Sequence, residues 1–135
     1  MSQEENLAIA RQFLAALGEG KEPTVIAAMF SENVVFEIPG DSAALPWIGQ
    51  ETGREAVTAF ISSLRVLTVP VKFDVQDLLA SDARAAIVGE MTTKIKATGK
   101  VIGSPFAIIL TVADGEIAHF RMLEDSFAVS GAARV

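Results

Sequence analysis

One histidine, no cysteine and no tyrosine leave this chain few groups with which to do chemistry. His119 stands alone, so a His-based metal site is not expected; it is either a sheet-surface or dimer-contact residue or a general base. Lacking cysteine, the chain has no disulfide, no thiolate nucleophile and no Cys-ligated zinc or iron–sulfur centre. Acid–base work then falls to carboxylates. Glu37 lies on a β-rich run, Val34 to Ile38, and is either a solvated strand-end carboxylate or, if buried, a base with a raised pKa. Asp41, within Pro39-Gly40-Asp41-Ser42, is either a turn former bonding its own backbone or a base. Trp47, the single tryptophan, sits in a loop away from any periodic face. It either plugs the core or covers a ligand, with its indole offering contact area and one N–H donor.

These groups belong to a chain of 135 residues, enough for one domain over 1–135, and half its residues are apolar. The formal charge is −6, with Lys and Arg scattered, which argues against nucleic acid and against docking on anionic lipid. No stretch approaches the ~20 apolar residues of a membrane span. The acidic start, Met1 to Glu5, has no basic region followed by an apolar run, so no signal peptide is expected and the cytoplasm is the expected location. No cofactor is expected.

The elements that must position these groups are legible from periodicity. Ser2 and Glu5 form a capping box ahead of a helix striped by Leu7, Ala10, Phe13, Leu14 and Leu17, which Gly18 and Gly20 end. Pro23 opens a short helix from Thr24 to Phe30, closed by a Ser31-Glu32-Asn33 turn. Thr52 and Glu55 suggest a second capping box for a helix striped by Ala56, Val57, Phe60, Ile61 and Leu64, with Pro70 marking its end. From there to Glu124 the pattern is sheet. Val71, Phe73 and Val75 alternate, Ile87, Met91 and Ile95 share a face, and Phe106 to Val112 is apolar on both faces. Asp114-Gly115 predicts a type I′ hairpin. Asp125 or Ser126 could cap a C-terminal helix. The layout is α+β: a curved, mostly antiparallel sheet wrapped around N-terminal helices, leaving a cone with an internal pocket.

Two groups of residues carry a family resemblance. Pro46-Trp47-Ile48-Gly49 with Gly53-Arg54-Glu55-Ala56-Val57 resembles a signature common in SnoaL-like proteins. Asp114-Gly115-Glu116-Ile117 with Phe120-Arg121 and Asp125-Ser126 resembles their C-terminal pattern. The chain is thereby similar to the SnoaL-like, ketosteroid-isomerase-like domains of the nuclear-transport-factor-2-like superfamily. That group holds isomerases, epoxide hydrolases, polyketide cyclases and proteins with no known reaction, so fold alone does not give chemistry.

Matched to this family, the chain lacks its usual catalytic groups. Where ketosteroid isomerases carry Tyr and two Asp, it has Phe13, Ile38 (in Ile38-Pro39, against their Asp-Pro) and Ala107. Where the limonene-epoxide-hydrolase-like members carry Arg and two Asp, it has Gly89, Met91 and Met122, and methionine moves no proton. Glu37 falls where those hydrolases place a polar group that holds water. The resemblance turns Met91 and Met122 toward the cone. Strand alternation then puts Phe120 and Glu124 inward and His119, Arg121 and Asp125 outward. Glu124 reads as a rim charge at the mouth.

Two functions follow. One is a small-molecule-binding protein with an apolar pocket for a ring-containing ligand, lined by Phe13, Leu17, Phe60, Leu64, Met91, Phe106, Phe120 and Met122 with Trp47 and Glu124 at the mouth. The other is a cofactor-independent isomerase, cyclase or hydrolase using Glu37 or Asp41. A homodimer is expected through the outer sheet face, where Ala107, Ile109 and Thr111 lie on a run too apolar for water.

Overall fold

The computed structural model describes residues 2–40 and 48–134. Helices α1 (Gln3–Gly18) and α2 (Pro23–Ala27) come first, then β1 (Phe30–Ile38) and β2 (Gly49–Thr52). Helix α3 (Arg54–Leu67) leads into β3 (Thr68–Ala80), β4 (Arg84–Ile95), β5 (Val101–Ala113) and β6 (Glu116–Glu124), and α4 (Ser126–Ala133) closes the chain. The six strands form one curved sheet in the order β2-β1-β6-β5-β4-β3. Every pairing is antiparallel except β1 with β6.

Local chemistry explains most boundaries. The Ser2 hydroxyl accepts from the Glu5 N–H at 3.1 Å, which caps α1 and leaves Ala10, Phe13 and Ala16 buried on its inner stripe. Asp114 and Gly115 both adopt positive φ, 52° and 77°, as a type I′ turn between β5 and β6 requires. Asp125 caps α4 by accepting from the Ala128 N–H at 3.0 Å.

Three boundaries differ from the sequence reading. Ser31-Glu32-Asn33 is not a turn: β1 already starts at Phe30, α2 ends at Ala27, and β1 reaches β6 through a register shift between Phe30 and Val35. Thr52 is not a helix cap but the last residue of β2, paired with Val35, and Gly53 (φ 97°) occupies the cap position. Pro70 lies inside β3, an edge strand, beside a bulge that spares it an inner ladder position.

Arg54, from the Gly-Arg-Glu-Ala-Val segment, ties the start of α3 to two strands. Its Nε donates to the Phe30 carbonyl at 2.8 Å, and its guanidinium meets Glu116 at 3.0 Å. The core lies between the helices and the inner sheet face. Phe30, Val34, Ile38, Ile87, Leu110, Ile117 and Phe120 are all essentially without solvent contact there. Among the described residues, no helix is long and apolar enough to cross a membrane.

Candidate functional site

Phe120, on the inner face of β6, is the centre of an aromatic cluster. Its ring stacks on Phe36 at 4.4 Å and 4°, meets Phe13 edge-on at 5.9 Å, and lies 6.2 Å from Phe60. Strand alternation fixes which neighbours point the same way: Met122 and Glu124 follow Phe120, while His119, Arg121 and Leu123 turn outward. Above this cluster a cavity of about 260 Å³ opens between α1, α3, α4 and the sheet. Phe13 and Leu17 of α1 and Phe60 and Leu64 of α3 form one wall. Met91, Phe120, Met122 and Glu124 form the opposite one. The sequence reading did not name Phe73 on β3, Ile102 on β5 or Val129 on α4, which also line it.

The structure thus brings eight of the expected ligand-binding residues to one cavity. Phe106 is not among its lining: it is buried, stacks on Phe73 at 4.7 Å, and lies over Gly89, where the missing side chain leaves it room. Asp41 and Trp47 lie outside the described residues.

Glu37 is on the other side of the sheet. Phe36 and Ile38 are buried, so the residue between them turns outward, where it meets His119 and Arg121 on β6. One carboxylate oxygen accepts from both, from Arg121 Nε at 2.5 Å and from His119 Nε2 at 3.1 Å. The Arg121 hydrogen bond first, then that of His119, hold its pKa below the ordinary 4.5. A base with a raised pKa facing the cavity, the sharper of the two expectations for Glu37, is therefore corrected: the residue is an ion-paired carboxylate on the outer face.

Glu124 shows the reverse. Burial first, and then the neighbouring Asp125 carboxylate, push it up to about 7. No described side chain bonds its carboxyl. The other polar lining groups are Arg65, Thr68 and Thr93. Arg65 donates to the Lys21 carbonyl at 2.6 Å and Thr68 to the Leu64 carbonyl at 2.6 Å, so both are already engaged with backbone. Among the described residues, no three acidic or histidine side chains converge as a cation site would need. What the described residues offer is an apolar chamber with one carboxyl that no other described side chain bonds.

A six-stranded, mostly antiparallel curved sheet over N-terminal helices, with a chamber between them, defines a nuclear-transport-factor-2-like protein. The family model of the SnoaL-like domain matches residues 10–120, and the chain belongs to that family. Among solved structures, a nuclear-transport-factor-2-like protein from Burkholderia xenovorans is 25% identical, with a TM-score of 0.89 and 99% of each chain covered. A candidate isomerase from Bacillus subtilis is 19% identical (TM-score 0.77, covering 96% of this chain and 92% of that one). A candidate polyketide cyclase from Xanthomonas campestris is 14% identical (TM-score 0.77, 99% and 100% covered). At those identities the last two show the fold alone. No curated protein matches the chain.

Proposed function

We propose that this SnoaL-like domain is a small-molecule-binding protein whose cavity takes a ring-containing, largely apolar ligand. The observation that carries this is the lining: Phe13, Phe60 and Phe120 with Met91 and Met122 around about 260 Å³. At ~30 Å³ per water that is room for about nine waters, or one small fused-ring compound. Aromatic faces supply shape, and methionines adapt to it. Removing roughly 200 Å² of apolar ligand surface from water at ~25 cal/mol per Å² gives about 5 kcal/mol, a sub-millimolar complex. The enzyme reading, a cofactor-independent isomerase, cyclase or hydrolase, loses Glu37 as its base, because that residue faces away from the chamber.

With the methionine methyls ¹³C-labelled, titrating an indane-sized ring compound is expected to shift the Met91 and Met122 signals, while glucose leaves them in place. Unmoved signals with every ring compound tried would mean that the chamber is closed to ligands.

The same reading includes a homodimer through the outer sheet face. Ala107, Ile109 and Thr111 form its middle on β5, and Leu123 on β6 is 42% exposed beside them. Light scattering at micromolar concentration is expected to give twice the 14.3 kDa chain mass, and Ile109→Arg to give one. A parent protein at the single-chain mass would remove this interface.

A further inference from the structure

Given the binding chamber proposed above, we infer that its ligand is a ring-bearing amine, whose ammonium group pairs with Glu124 while its ring lies against Phe13, Phe60, Phe73 and Phe120. Glu124 is the one carboxylate among the described lining residues, and nothing described there is bonded to it. Among the described lining residues the only cation is Arg65. It belongs to the opposite end of the chamber. Glu124 is in register with Phe106, and Phe106 with Gly89, whereas Thr68, one turn after Arg65, is in register with Ile95. Six residues of β4 separate those two rows, roughly 20 Å at ~3.3 Å per residue.

The other described charges near Glu124 are acidic as well: Asp125 at the same strand end, and Glu90 of β4 across a shared outer groove. The α4 helix packed alongside brings no ionisable side chain. Four phenyl rings line the chamber, and the faces of such rings attract a cation. An ammonium group therefore finds a counter-charge and π faces together. A hydroxyl would gain one hydrogen bond, and a carboxylate would meet a like charge in a poorly hydrated site. Burial holds the carboxyl near neutrality at about pH 7, so an arriving ammonium group displaces its proton into solvent.

Calorimetry with 2-aminoindane, 2-indanol and indane-2-carboxylate tests this. At pH 8 the amine is expected to bind at least tenfold tighter than the alcohol, with the carboxylate weakest. With Glu124 titrating near 7, amine affinity should fall about tenfold between pH 8 and pH 6. At pH 6, buffers of different ionisation enthalpy should reveal release of close to one proton. Glu124→Gln should erase the preference while keeping alcohol binding. An alcohol that binds as tightly as the amine, or a preference that survives Glu124→Gln, overturns the amine assignment and leaves the apolar chamber standing. Failure of all three compounds to bind overturns both. The pH dependence and proton release of the parent protein decide the matter even if the variant does not fold.

Discussion

Gly89→Ala is expected to lower the stability of the folded chain by about 3 kcal/mol. A Cβ at this position would lie 2.0 Å from the Asp74 carbonyl oxygen and 3.1 Å from the tip of the Phe106 ring. The first of these is backbone of the neighbouring strand and cannot rotate away. Val75, opposite Gly89, is followed by a bulge in β3, and this irregular stretch brings the Asp74 carbonyl across β4. Relief would require moving the β3 backbone off its partner, and Phe73 stacked on Phe106 would move with it. Gly103 is the control, because a Cβ there meets nothing closer than 3.8 Å. Gly103→Ala should stay within about 1 kcal/mol of the parent, with the sign favouring alanine in a strand. Urea denaturation of both variants decides the point, and a Gly89→Ala midpoint equal to the parent's would mean that the β3–β4 pairing is misplaced.

Where local chemistry decides, the sequence could be read directly. The Ser2 cap, the α3 stripe and the Asp114-Gly115 turn each rest on residues within a few positions of one another. What was missed depends on distant partners. Strand β2 is Gly49-Gln50-Glu51-Thr52, with no apolar alternation, and exists because β1 offers it an edge. The Ser31 to Asn33 stretch looks like a turn in isolation. It stays extended because the Ile117 N–H reaches the Met29 carbonyl and Arg54 reaches the Phe30 carbonyl, contacts made by residues 24 or more positions away.

The site divides in the same way. Alternation outward from Met122 placed Phe120 and Glu124 inside the chamber and Arg121 outside it. The same rule applied to Val34, Phe36 and Ile38 would have turned Glu37 outward, so that signal was present in the sequence. Phe106 is different. It faces inward as alternation says, yet sets the tip of its ring over a glycine on the next strand, and only the register of β4 against β5 reveals that. Phe73 could not be assigned either, since the bulge between Pro70 and Lys72 resets which β3 residues face the chamber.

Glu124→Gln is expected to stabilise the protein by about 2 kcal/mol at pH 8 and by almost nothing at pH 4. In the unfolded chain the carboxyl titrates near 4.5, and in the folded chain near 7. Between those values the native state binds more protons than the unfolded one, so stability falls as pH rises through that window and levels off above it. Below 4.5 the group is protonated in both states and costs nothing. A displacement from 4.5 to about 7 corresponds to roughly 3 kcal/mol at 1.36 kcal/mol per unit, and the water that reaches the chamber reduces it to about 2. Glutamine keeps the shape and removes the charge, so the parent's loss should be absent from the variant. Glu37 works in the opposite sense: its lowered pKa contributes stability above 4.5 that is lost as pH falls. That term is common to both proteins and cancels in their difference. Urea denaturation of parent and variant at pH 4, 6 and 8 measures the difference directly. A gap that opens between pH 4 and pH 8 places Glu124 in a dry, unpaired setting, whereas parallel stabilities across the range would mean that water already solvates this carboxylate and that the chamber is wet at its β6 end.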